Sequence, residues 1–418
     1  MPRFIADLEI HSKYARAVSP QMLLPNLVLW AKKKGIDVLS TGDATHPQWF
    51  ADIESKLEPA EPGLFKFDES PTRFLIGGEV SCIYKKGGRV RRVHHLIYAP
   101  DRSAMKKINT RLAAIGNIHS DGRPILGLDS KELLKIILDV STDSVLIPAH
   151  VWTPWFGIFG SMSGFDSLEE CFDELTPRVF AIETGLSSDP PMNWRVPFLD
   201  ERAIISGSDS HSLTRLGREA TILKAELSYA GIFDALRARD ERLAGTIEFF
   251  PEEGKYHYDG HRLCRVSFGP EETKQRRGLC SACGKPVTIG VMSRVDALAA
   301  PDRPAGFRPA WAKLFHSFVP LDEVIGEALD FGKQSKAVWR DYEAAIQKFG
   351  SEFALLLEAA ESDLRAGLPP AVAEAVIRMR RGEVAITPGY DGEYGIIKIF
   401  RDDADRVGAA AANQSSLF

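Results

Sequence analysis

Three metal-capable side chains alternate in Asp7-Leu8-Glu9-Ile10-His11, directly after the apolar run Phe4-Ile5-Ala6. A strand sends alternate side chains to one face, so Asp7, Glu9 and His11 share a direction. Burying carboxylates and an imidazole together is costly unless a cation compensates them. Both are ligands for divalent ions such as Zn, Mg and Mn, so the pattern predicts metal chemistry. The same residue types recur along the chain: Asp43 and His46, Glu79, the pair His94-His95, His150, Glu183, and Asp209 with His211. Neighbours on a strand face opposite sides, so only one of His94 and His95 can reach a common centre, with His94 preferred.

These residues need elements to bring them together. Each lies at the end of a strand-like run, at 4–10, 38–41, 74–77, 93–98, 145–149, 179–183 and 203–206. Helical patterns fall between them, at 21–34, 47–57, 104–115, 131–138 and 168–175. The last opens on Ser167-Leu168-Glu169-Glu170, a capping-box pattern. Strands alternating with helices predict an α/β fold with a parallel sheet, and seven units predict a (β/α) barrel over residues 1–248. Loops after barrel strands converge on one face, which would gather the strand-end ligands there.

Beyond 249 the long periodicity stops and cysteines appear. His261-x2-Cys264-x15-Cys280-x2-Cys283 supplies four N/S ligands at zinc-ribbon spacing, with His257 as an alternative to His261. Four protein ligands leave no open position, so the expected module at 249–300 is structural. Lys274, Arg276 and Arg277 lie between the two ligand pairs, where phosphate contact is plausible, while Cys82 and Cys171 read as buried thiols. A Pro/Arg/Gly-rich connection at 301–309 leads into a mainly helical domain, 301–401, with helices expected at 322–331, 338–349, 352–366 and 371–381. A strand pair, 384–387 and 395–400, is expected around a turn-rich segment, and residues 402–418 form an expected disordered tail.

The whole chain of 418 residues, 44% hydrophobic and 26% charged, is too long for one ordinary core. Its net charge of -5 gives no global attraction to nucleic acid, although Arg89, Arg91 and Arg92 form a local basic run. No apolar stretch approaches the roughly 18 residues of a membrane span. The chain enters a strand at once, without a secretory pattern, so a cytoplasmic protein with no membrane partner is expected.

Taken together, Asp7-x-Glu9-x-His11 and Gly207-Ser208-Asp209-Ser210-His211 resemble the PHP (polymerase and histidinol phosphatase) superfamily, whose fold is a distorted seven-stranded barrel. The resemblance implies two or three clustered divalent ions, Glu79 bridging them, and Glu79, Asp209 and His211 as catalytic residues. Glu9 stands where the family usually has His. As a harder oxygen donor it shifts preference away from soft metals, leaving Mg or Mn open beside Zn.

Longer stretches resemble a narrower group, endonuclease Q. They include residues 7–16, 77–81, 92–100, 120–124, 148–157, 183–189 and 388–395. That resemblance implies cleavage of double-stranded DNA on the 5′ side of deaminated bases (uracil, hypoxanthine, xanthine) or abasic sites. Such an enzyme flips a base out of the stack. Trp152, Trp155 and Phe156 would offer aromatic faces, Ser187, Ser188, Ser120 and Arg123 would read base edges or hold phosphate, and Lys13 and Arg16 would contact phosphates. The end, Gln414-Ser415-Ser416-Leu417-Phe418, resembles a bacterial sliding-clamp-binding peptide, with Gln414, Leu417 and Phe418 as anchors. The same residues also admit two rival readings: a PHP phosphoesterase acting on small phosphomonoesters, and a non-catalytic PHP module that binds DNA or a polymerase.

Overall fold

The opening strand, Arg3–Asp7, is buried at every position after the first because its apolar residues serve two layers. Ile5 packs into one hydrophobic cluster, and Phe4 and Ala6 into the other. In the computed structural model, which describes residues 1–332 and 335–408, this strand lies inside an eight-stranded sheet. It runs parallel to Val38–Ser40 and antiparallel to Ala220–Lys224. Val38–Ser40 pairs in parallel with Arg73–Leu75 on one side. On the other, Ala220–Lys224 pairs antiparallel with Leu243–Glu248. A four-stranded sheet holds Ile125–Leu126, Gly77–Lys86, Arg89–Tyr98 and Val145–Pro148 in that order. Ala181–Glu183 and Ala203–Ile205 form a parallel pair, and a bridge from Ile10, just past the first strand, to Ser210 ties the two strand-end segments together.

The sheets are thus mixed rather than all parallel. The expected strands at 74–77 and 93–98 belong partly to a long antiparallel hairpin, Gly77–Lys86 with Arg89–Tyr98. Gly87 and Gly88 turn it at φ 60° and 73°, the left-handed pair that a tight hairpin favours. The outer half of this hairpin is polar and partly exposed, so no apolar run announces it.

Helices pack outside the sheets. Leu24–Lys34 ends at Gly35, whose φ of 85° closes the helix as glycine readily does. Asp101, Asp129 and Ser167 cap Arg102–Ala113, Ser130–Val140 and Leu168–Phe172 with side-chain acceptors.

The connection after 301 is more than a linker, because Leu314–Ser317 joins the large sheet beside Leu243–Glu248. The helices Leu321–Leu329, Lys336–Phe349, Glu361–Gly367 and Pro370–Arg380 follow. The helix expected over 352–366 is split by a π-turn, Ala354–Glu358. Arg380 satisfies the carbonyls freed by this break, donating to Leu355, Leu356 and Ala359. Glu352 then fastens these helices to the first one through a 2.6 Å ion pair with Lys34, while accepting from Tyr342 at 2.8 Å. A small hairpin, Ala385–Thr387 with Ile396–Lys398, precedes a helical segment at 403–408, which lies within the expected disordered tail and is pinned by an Arg378–Asp405 ion pair. No helix among the described residues is long and apolar enough to cross a membrane. The clamp-like residues Gln414, Leu417 and Phe418 lie outside the described residues.

Candidate metal centre and nucleic-acid face

Glu79 is the hub of the strand-end cluster. Its Oε1 lies 2.5 Å from His94 Nδ1 and 3.2 Å from His150 Nε2. Its Oε2 lies 3.2 Å from His11 Nε2 and accepts from Arg123 Nη1 at 3.0 Å. Asp209 reaches His11 Nε2 at 3.2 Å, and the His211 ring meets the His11 ring edge-on at 4.7 Å. Three overlapping sets have ligand atoms within 4.8 Å of one another: His11 with Asp209 and His211, Glu79 with His94 and His150, and Glu9 with Glu79 and Asp209. Glu183 stands beside Glu9 and accepts from the His150 amide at 2.8 Å.

The donor set fits divalent cations. Both oxygens of Glu9 and one of Glu183 are buried without a hydrogen-bond partner, an expensive arrangement for protein alone. Burial, then the carboxylates of Glu183, Asp209 and Glu79, pushes the Glu9 carboxyl well above its usual range. Burial opposes ionisation of Glu79 too, but Arg123, His94, His11 and His150 hold it well below that range. Asp209 is half-buried; burial opposes its ionisation too, but His11 draws it down to about 2. Carboxylates of opposite tendency crowded in one place are what a multinuclear cation site would reconcile.

Local backbone is bent to serve this cluster. Asp43, His150 and Asp209 sit at φ of 46°, 29° and 46°, conformations that side-chain-bearing residues adopt only when the surroundings over-determine them. Gly207 lets its segment pass the acids, since a Cβ there would lie 2.6 Å from Glu183 Oε1 and 2.8 Å from Glu9 Cβ.

Four expected ligands take other positions. Asp7 is fully buried, but its oxygens accept from the amides of Ser208 and Gly217, each at 2.9 Å. It therefore fastens the loop that carries Asp209 and His211. Asp43 holds His11 Nδ1 at 2.8 Å and accepts from the Ser12 amide and hydroxyl, which aims His11 Nε2 at the centre. His46 contacts the His119 carbonyl at 3.0 Å and stacks on Tyr14. His95 points to the opposite face, because it is paired with Val80 while His94 is paired with Ser81. Its Nε2 contacts Ser130 Oγ at 2.7 Å, and burial pushes its pKa down to about 3.

The expected DNA contacts divide similarly. Lys13 and Arg16 are exposed, and Arg16 approaches Asp121 at 3.4 Å. Ser120 is exposed, whereas Arg123 reaches into the cluster. Phe156 packs against the His94 ring at 4.4 Å in a tilted arrangement, and Trp155 is half-buried against Tyr256. Trp152 is no base platform: its ring is fully buried against Phe159 and its Nε1 donates to Asn193. Ser188 is buried as well, donating to the Thr184 carbonyl, while Ser187 is half-buried beside Thr153. Arg276 and Arg277 are exposed on the cysteine module.

In that module His261, Cys264, Cys280 and Cys283 bring their ligand atoms within 4.8 Å, so His261 rather than the buried His257 completes the set. Burial pushes the Cys280 thiol up, yet the amides of Ala282 and Cys283 bring it down to about 6, favouring the thiolate a metal needs. Sequence reasoning missed Arg218, which donates to the Ser208 and Asp209 carbonyls, and Tyr98, which donates to the Leu8 carbonyl. Single residues on strand or loop carry no spacing signal for such roles.

Comparison with known proteins agrees along the whole length. A family model described as the MJ0043 C-terminal domain matches residues 320–383. The Bacillus subtilis protein YqxK is 30% identical over 95% of this chain and all of its own length. MJ0043 of Methanocaldococcus jannaschii is 32% identical over 62% of this chain, which spans 33% of that relative. The crystal structure of the lesion-specific endonuclease PfuEndoQ from Pyrococcus furiosus superposes with a TM-score of 0.86 at 27% identity, covering 99% of both chains. A structure of endonuclease Q with a 27-mer duplex carrying an abasic lesion at the active site gives 0.83 at 28% identity, over 96% of this chain and 97% of that one. Shared along nearly the entire chain, this likeness places the protein in the endonuclease Q family.

Proposed function

We propose that the protein is a metal-dependent DNA repair endonuclease. It hydrolyses the phosphodiester on the 5′ side of an abasic site or a deaminated base (uracil, hypoxanthine or xanthine) flipped from the duplex. The observation that carries this reading is the convergence of Glu9, His11, Glu79, His94, His150, Glu183, Asp209 and His211 at one end of the sheets, with Glu9 unpartnered. The proposed frame is a PHP-type barrel bearing a zinc-ribbon module. The same groups could serve a small phosphomonoesterase, but likeness to the duplex-bound endonuclease favours DNA.

Divalent ions held there, Zn2+ with Mg2+ or Mn2+ as alternatives at Glu9, would supply Lewis-acid stabilisation and lower the pKa of an attacking water. The chain's own groups do the rest. Asp43 fixes the His11 tautomer, and Asp7 with Arg218 holds the Asp209 loop in place. Arg123 projects a guanidinium beside Glu79, where it would meet a scissile phosphate. Lys13 and Arg16 lie outside as phosphate contacts, and Phe156 and Trp155 give an apolar wall for an extruded nucleotide. His261, Cys264, Cys280 and Cys283 would hold a structural zinc that presents Arg276 and Arg277 to the duplex. Gln414, Leu417 and Phe418 would tether the enzyme to a sliding clamp.

The test is incubation of the purified protein and Mg2+ or Mn2+ with end-labelled duplexes carrying one deoxyuridine, deoxyinosine or abasic site. A single cut 5′ to the lesion is expected. Release of phosphate from small monoesters without DNA cleavage would favour the phosphomonoesterase.

A further inference from the structure

A cavity of about 440 Å³ opens at the end of the sheets opposite the metal cluster. Its walls include Ala203, Leu243 and Leu314, the first residues of their strands, whereas Asp209 follows the far end of the strand begun by Ala203. The cavity is therefore separate from the centre described above. Its size suits a small organic ligand.

Its chemistry is specific. Arg202, Arg239 and Lys313 line it together with Trp194, Trp311 and Leu314. Among the described residues, Arg239 and Lys313 make no ion pair, and Arg202 has only a long one. Arg239 donates to the Asp200 carbonyl at 2.6 Å and Lys313 to the Asp240 carbonyl at 2.7 Å. Arg202 donates to the Glu201 carbonyl at 3.2 Å, its Nε is buried without a partner, and the Glu201 carboxylate lies 3.9 Å away. Burial disfavours the Arg202 charge; the Glu169 and Glu201 carboxylates offset part of that cost, and Arg239 adds to it. The nearby acids cancel this charge only in part. Asp200 is held by Arg303 through two hydrogen bonds, and the Glu201 side chain is 83% exposed. Beside the cations, Trp311 offers a partly exposed indole face and Leu314 an exposed apolar one.

We propose that this cavity is a second ligand site, taking a small aromatic anion of the mononucleotide class. The guanidinium and ammonium groups would engage its phosphate, and a flat base would stack on Trp311. Neither half suffices alone, since inorganic phosphate leaves the indole uncovered and an uncharged nucleoside leaves the cations unpaired.

The experiment is an equilibrium titration of the full chain with dAMP, followed by tryptophan emission, with adenosine and inorganic phosphate in parallel. Saturable quenching by dAMP is expected, about tenfold tighter than either fragment. Lys313→Glu and Trp311→Ala, both on the accessible rim, should weaken it tenfold or more while leaving lesion incision unchanged. Asp209→Ala should abolish incision and leave dAMP binding intact. No saturation into the millimolar range would overturn the proposal, as would equal binding of phosphate alone. Binding lost in Asp209→Ala but kept in Lys313→Glu would place the nucleotide at the metal centre and also overturn it.

Discussion

At the scale of single residues, the carboxylates crowded around Glu9 repel one another, and bound cations would relieve that repulsion. Glu9→Gln removes one such charge. In chelator this variant should melt at a higher temperature than the parent, and with Mn2+ at a lower one, as read by thermal scanning. The same ordering in both conditions would remove Glu9 from the ligand set. Asp43→Ala leaves the ligands in place but frees His11 to rotate. A loss of about 10–100-fold in metal affinity or activity is expected, measured by metal titration. Sequence spacing identified the acids and histidines because ligand types are rare at buried strand ends. It could not separate Asp7 and Asp43 from the residues that meet at the centre, since a carboxylate accepting amides has the same one-letter identity as one left free to bind an ion. Register decided between His94 and His95, and only the hairpin partner fixes register.

At the scale of elements, the loop from His150 to Phe165 and the cysteine module support each other. Arg294 on Val291–Leu298 donates to the Phe159 and Phe165 carbonyls at 2.8 and 2.9 Å. Trp152 forms the loop's buried base, so Trp152→Ala should cost about 3–5 kcal/mol in chemical denaturation. The aromatic run after His150 was legible as a feature, but which ring faces solvent depends on a tertiary fold-back that no local pattern encodes. The cysteine spacing was more informative because a tetrahedral site constrains four positions at once. Cys283→Ala should lower zinc content by one equivalent in elemental analysis, while the ions at the strand-end centre remain.

At the scale of the whole molecule, stability should depend on pH through histidines buried in neutral form. Burial pushes His95 down to about 3 and His257 to about 4. Between those values and the unfolded value near 6.5, the unfolded chain binds more protons than the native one. The part of the stability contributed by these histidines therefore rises with pH through this window and is lost as pH falls, by up to about 1.4 kcal/mol per pH unit per histidine. Buried acids pushed up, such as Glu183 at about 7, slope the other way. His257→Gln should flatten the slope in denaturation series from pH 4 to 7. The alternation of strand and helix was readable in the first half of the chain, and so was the helical character after 320. The antiparallel hairpin at 77–98 and the late strand Leu314–Ser317 were not, because both are short of apolar contrast and owe their place to partners distant in sequence.

The most direct measurement is incision of one end-labelled duplex bearing a single abasic site by the parent protein and by Asp209→Ala, with Mn2+ and with chelator. One cut is expected, 5′ to the lesion, that requires both the metal and Asp209, while the variant stays folded and still binds the duplex. Cutting that persists in chelator or in Asp209→Ala would contradict it, as would tight binding with no cut under any metal.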